Sequence, residues 1–225
     1  YVTDGRHLFS RDLNGIWMAT ELQELNTFGA WGFGPIDAFG GSVYLLQNEY
    51  LDIYKFASNP ENGVAPGESW VNEGARDQLD SAIDIAIDGN IYVLMEDGAI
   101  RTYRMSELVG EQYPSYGEDD QPVALLNGAA TGYVYVAIST DDGSAGYVLA
   151  YDPVGMTTNR LELPVDLDLG PEKVTGPFEG FKDIAVDEST GTMYVVNGDS
   201  IWSMRYTLPV LPHMVVPEST PEAES

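Results

Sequence analysis

The chain has 225 residues, 44% hydrophobic and 11% aromatic, with a formal net charge of −26 from 36 acidic and 10 basic side chains. Phosphate binding needs clustered Lys and Arg, so this charge argues against nucleic acid and anionic membrane surfaces as partners and suits cationic groups or divalent ions. Cysteine is absent, which excludes disulfides, thiolate metal sites and a cysteine nucleophile.

No apolar run approaches the roughly 20 residues needed to span a bilayer, so the chain is not expected to insert in a membrane. It begins at Tyr1 without a Met and is expected to be a processed or trimmed portion of something longer.

From the start, Tyr1–Gly5 (YVTDG) followed by Arg6–Leu13 reads as the second and third strands of a meander whose first strand is missing. Gly15–Leu25 adds an outer strand, and Phe28–Phe33 is a Gly-rich loop with aromatics. Pro35–Gln47 and Tyr50–Ala57 form the next copy, followed by a polar loop from Ser58 to Gly67. The clearest copy is Ala82–Met105. There Ile83, Ile85 and Ile87 alternate with Asp84, Ala86 and Asp88, the period of a strand with one buried face. Asp88-Gly89-Asn90 and Asp97-Gly98 supply the turn chemistry that joins three short antiparallel strands. Tyr113–Gln121 is an acidic loop; the fourth copy runs from Ala124, and Leu161–Leu169 alternates as a strand. The fifth copy is Phe181–Val196, closed by Ser200–Tyr206. Pro217–Ser225 (PESTPEAES) has the composition of a tail or linker, leaving 1–216 as one domain.

Landmark tyrosines Tyr1, Tyr44, Tyr92, Tyr135 and Tyr194 mark five copies spaced by about 40–60 residues. Repeats of this length, each a four-stranded antiparallel sheet, predict an all-β fold: a β-propeller of about five blades. It is either a closed five-bladed ring or part of a larger propeller, with a sandwich of short strands as the structural competitor. For closure, Val210–Val216 is the candidate strand, weakened by Pro212. IDIAIDGNIYVLMEDGAIRTY and KDIAVDESTGTMYVVNGDSIW resemble blades of the broad grouping that includes NHL, YVTN and regucalcin-like repeats, and are similar to extracytoplasmic propellers of bacterial membrane-anchored proteins. The motif is a blade motif, so the resemblance implies a binding platform more readily than a reaction.

Site chemistry is sparse. The histidines are His7 and His213, without metal-ligand spacing, and there is no P-loop, dinucleotide fingerprint or nucleophile elbow. Asp37, Asp84 and Asp183 share one position near the start of the first strand, where the fourth copy has Ala124. If those strands line a channel, the carboxylates converge. They would then bind Ca²⁺, the one cofactor the pattern admits, or act as acid and base of a glycosidase. The competing role is structural, each Asp accepting backbone amides at the strand entry. The acidic loops Glu118-Asp119-Asp120, Asp141-Asp142-Gly143 and Asp187-Glu188 lack the EF-hand order and read as solvated turns. Trp31, Trp70, Tyr113 and Tyr116, in or near predicted loops, are the candidate binding aromatics; their ordinary role is to wedge between blades.

The expectation is therefore a non-enzymatic propeller, secreted or on the cell surface, that binds a protein or glycan partner through a loop face. The alternatives are a divalent-metal-dependent propeller hydrolase, of lactonase or glycosidase type, and a structural subunit of a surface assembly.

Overall fold

The computed structural model describes residues 2–3, 7–11, 15–21, 34–47, 50–59, 63–64, 67–128, 130–140, 145–161, 181–197 and 200–207. Trp31, the Leu161–Leu169 strand beyond Leu161, the closing strand Val210–Val216 and the tail lie outside them.

The described strands fall into five antiparallel sheets in chain order. The first holds β1 (Val2–Thr3), β2 (His7–Arg11) and β3 (Trp17–Glu21). These are the second, third and outer strands of a blade, and no innermost strand accompanies them among the described residues. The second holds β4 (Ile36–Phe39), β5 (Ser42–Gln47) and β6 (Asp52–Asn59), with the outer place shared by β7 (Gly63–Val64) and β8 (Glu68–Ser69). The third is β9 (Ala82–Ile87), β10 (Ile91–Met95), β11 (Ile100–Arg104) and β12 (Glu107–Gln112). The fourth is β13 (Gln121–Asn127), β14 (Val134–Ser139), β15 (Gly146–Asp152) and β16 (Thr157–Arg160). The fifth is β17 (Phe181–Asp187), β18 (Thr192–Asn197) and β19 (Ser200–Arg205).

Both faces of these sheets are used. In the third blade β10 is buried at every residue, because one face packs on the blade before and the other on the blade after. Tyr44, Leu46 and Ile53 of the second blade pack on Ile85, Ile87 and Val93 of the third. Tyr92, Leu94 and Ile100 then meet Leu125, Val136 and Leu149 of the fourth. Tyr135, Ala137 and Val148 meet Ile184, Met193 and Val195 of the fifth. Leu8 of the first sheet packs with Val43, Leu45 and Phe56. Apolar layers between successive sheets, not one layer between two, make this a propeller and exclude the sandwich. Each fully buried Leu or Ile there stabilises by roughly 2 kcal/mol.

The second to fifth blades, three to four strands wide, are ringed about one axial cavity of ≈ 390 Å³ lined by β4, β9, β13 and β17. Innermost strands all begin on one side of the disc, the entry side, and end on the other, the exit side.

Candidate functional site

The cavity wall contains all three sequence-selected aspartates, Asp37, Asp84 and Asp183, with Lys182 at their side and Ile83, Leu125 and Ile184 between them. The strands thus bring these carboxylates together, but not at one level. Asp84 stands opposite Leu94 and Asp183 opposite Val196, each two residues past the landmark tyrosine of its blade, whereas Asp37 stands opposite Tyr44 itself. The shared position expected from the sequence therefore holds for two of the three. The cause is the hairpin: Phe39 pairs with Ser42 across Gly40-Gly41, both at positive φ (59° and 78°). This is the tight two-residue turn that glycine permits, whereas Ile87 pairs with Ile91 across three residues.

Each aspartate is a strand-edge acceptor. The following amide on its own strand donates to Oδ1: Ala38 to Asp37 (2.7 Å), Ile85 to Asp84 (2.8 Å) and Ile184 to Asp183 (2.8 Å). Oδ2 reaches across the blade joint. Ile87 of the third blade donates to Asp37 (2.8 Å), and Leu125 of the fourth donates to Asp84 (2.6 Å). Innermost strands have no ladder partner on the axial side, so the carboxylates supply the acceptors that a further strand would give. The arrangement also explains Ala124. Because residue 124 has no carboxylate to take the Leu125 amide, that amide is free for Asp84.

Burial is the main influence on these acids. It pushes the Asp84 carboxyl up to about 7 against the two amides that favour its anion, with the charges of Asp183 and then Asp37 adding to the rise. Burial also raises Asp37 and Asp183 above the usual carboxylate range. Among the described residues no group of three or more His, Cys, Asp or Glu is placed to hold a metal ion. Both oxygens of Asp37 and of Asp84, and Oδ1 of Asp183, accept backbone amides.

The fourth–fifth joint is held from the other direction. Glu188, on the turn after β17, accepts the Ala130 amide (2.6 Å), the Thr131 amide (3.3 Å) and hydroxyl, and the Tyr135 hydroxyl (2.9 Å). It lies on the exit side. Sequence reading placed Glu188 in a solvated acidic turn; its partners are more than 50 residues away in the chain, so nothing local reveals them. Glu188→Ala is expected to lower stability by about 2–4 kcal/mol, since it strands several partly buried donors at once. Urea unfolding measures this, and an unchanged midpoint would remove Glu188 from the joint. Its neighbour Asp187 caps its own turn through Ser189 and Thr190, which hold its carboxyl below the ordinary range.

The loop aromatics separate into three environments. Trp70 stacks edge-on against Tyr44, ring centroids 6.3 Å apart, and packs at the second–third joint. Tyr116 is half-buried, its hydroxyl tucked over Gly98 so closely that a Cβ there would lie 1.2 Å away. Tyr113 is 60% exposed and donates to Asp97 Oδ2 (3.2 Å). Beside it Asp80, Ser81, Glu96, Asp97 and Arg101 line a second cavity of ≈ 340 Å³. Of the acidic loops, Asp120 is an acceptor for the Tyr147 hydroxyl (2.6 Å) and the Gly117 amide (3.2 Å), so it fixes its loop rather than only solvating it.

No family model and no curated protein matches the chain. Solved structures do. A chain of a nidogen–laminin complex is 12% identical, with 86% of this chain and 67% of that one covered at a TM-score of 0.54. A Bacteroides uniformis protein described as a candidate 6-phosphogluconolactonase is also 12% identical, covering 90% and 64% at a TM-score of 0.50. The chain thus spans about two thirds of the length of each. At such identity the likeness shows the fold alone, and that fold is the β-propeller.

Proposed function

We propose that the protein is a non-enzymatic interaction platform, outside the cytoplasm, that binds a protein or glycan partner through its entry-side loops. The observation that carries this reading is the use made of the axial carboxylates. Of the best-placed candidates for acid–base or metal chemistry, Asp37 and Asp84 give Oδ2 to backbone amides across blade joints, and all three give Oδ1 to the following amide of their own strand. The hydrolase alternative needs a divalent ion, and the described residues form no cluster to hold one. The entry side, by contrast, offers an exposed aromatic, Tyr113, over the acidic cavity beside Asp97. That pairing suits a partner carrying Lys, Arg or hydroxyl-rich sugar faces. The nidogen–laminin likeness supports the reading to the extent that the scaffold there belongs to a protein complex. The blade motif supports kinship with NHL, YVTN and regucalcin-like repeats and the location outside the cytoplasm.

Tyr113→Ala is expected to weaken binding at least about tenfold at an unchanged melting temperature. A glycan array and a cross-linked protein capture, each run with both forms, provide the measurement. Equal binding by the two forms would move the site elsewhere, and sugar or lactone turnover would replace the reading with an enzymatic one.

A further inference from the structure

The innermost strands of the third, fourth and fifth blades share an irregularity. Asp84 stands opposite Leu94 but Ala82 opposite Met95, so Ile83 is one residue too many for the partner strand. Val123 is the extra residue between Pro122 and Ala124, and Lys182 between Phe181 and Asp183. The three bulges fall at one level, near the entry-side mouth. A bulge bends its strand and re-aims the extra side chain, and bulges recur beside functional sites for that reason. Here all three extra residues line the axial cavity. The paired residues of the second blade's innermost strand carry no bulge. Its wall at the mouth is Gly34 and Pro35. A Cβ on Gly34 would run into the Leu46 carbonyl oxygen, so that side stays bare.

The collar of the cavity is therefore two branched apolar side chains, Ile83 and Val123, and one ammonium, Lys182. Immediately beyond it stand the Asp84 and Asp183 carboxylates, with Asp37 deeper along the axis. Lys182 neutralises none of them: among the described residues it makes no ion pair. A carboxylate oxygen that accepts one amide keeps a second lone pair. Burial raises all three acids above the ordinary carboxylate range, and no cation offsets it. We infer that the axial cavity binds a free α-amino acid with an apolar side chain. Its ammonium lies between Asp84 and Asp183, its carboxylate meets Lys182, and its side chain packs on Ile83 and Val123.

The charges on the wall select this class. A purely cationic ligand would meet Lys182 at the mouth, and a purely anionic one would face three carboxylates. A molecule carrying both charges close together is complementary to both parts of the wall. The cavity's ≈ 390 Å³ lies near the lower end of the roughly 300–1,000 Å³ that small-ligand sites occupy, which suits a single amino acid rather than a longer chain. The ligand would touch the third blade through Ile83, the fourth through Val123 and the fifth through Lys182, and so tie three blades together. The site is separate from Tyr113, which stands beside the other cavity.

The test titrates the 225-residue chain with L-leucine, L-valine and L-methionine in turn, by calorimetry. Saturable one-site binding of at least one is expected, with NMR shifts at the Ile83 and Val123 methyl groups and a raised melting temperature. The amide of that amino acid, which lacks the carboxylate, should bind at least about tenfold more weakly. So should its deaminated acid, because each forfeits a charge-assisted contact. Lys182→Met should weaken the amino acid by a similar factor and leave its amide as it was; Asp119→Asn should alter neither. Binding of none of the three overturns the inference, as does equal affinity of amino acid and amide. Shifts confined to the residues around Asp97 also overturn it, by placing the ligand in the other cavity. None of these results alters partner capture through Tyr113, so the two readings fail separately.

Discussion

Ala124→Asp is expected to destabilise the protein by about 3 kcal/mol or more, although it restores the residue that three other blades carry at or near this place. Ala124 is 2% exposed in the cavity wall. A carboxylate there would take the Leu125 amide for itself, as Asp84 takes Ile85, and leave Asp84 Oδ2 without its donor. Its second oxygen would find the Ile184 amide already given to Asp183. A buried charge would be added and no hydrogen bond gained. For a chain of this size the loss corresponds to a fall in melting temperature of roughly 6–12 °C. It should shrink in acid, where the added group is neutral. Repeat-based reasoning anticipates the opposite sign, because consensus substitutions usually stabilise; a rise in melting temperature at pH 8 would disprove the clasp.

Stability is also expected to fall as pH rises from about 4 to about 7. Burial pushes the Asp84 carboxyl up to about 7 in the folded chain, against 3.8 for an ordinary aspartate. Between those values the folded state holds a proton that the unfolded state has released, so unfolding becomes easier with each step upward. The full effect is up to about 4 kcal/mol, and the part between pH 5.5 and 8 is about 2 kcal/mol. Asp37 and Asp183, also raised, act in the same direction. The large negative charge adds a further general decline, so the informative quantity is the difference between chains. Asp84→Asn should flatten the melting profile between pH 5.5 and 8, while Asp119→Asn leaves its slope as it is. Parallel slopes for the wild type and Asp84→Asn would mean that Asp84 is ionised throughout.

The propeller was legible in the chain because its signals are local. Alternation in Ala82–Ile87, the Asp-Gly turns and the recurring tyrosines each lie within one hairpin. Convergence of Asp37, Asp84 and Asp183 was legible for the same reason, since repetition implies a common axis. Their use was not. Whether a carboxylate meets a metal or the amide of Leu125 depends on the neighbouring blade, 41 residues onward. Glu188 reads as part of a solvated turn because its partners lie on another blade. Trp70 and Tyr113 look alike as loop aromatics, yet one packs on Tyr44 while the other stands 60% exposed; burial by a sequence-distant surface leaves no mark in the local pattern.

The Gly40-Gly41 hairpin has an electrostatic consequence. Two residues of strand correspond to about 6–7 Å along the axis, so the tight turn places the Asp37 carboxylate a full pleat away from the level shared by Asp84 and Asp183. Asp84 accordingly feels Asp183 more than Asp37. Three anions on one plane would repel one another across a narrow lumen; on a spiral stair, one of the three stands a step apart. A short loop at the exit side thereby tunes the acidity of a group on the opposite rim, and its length acts as a dial on charge rather than on shape.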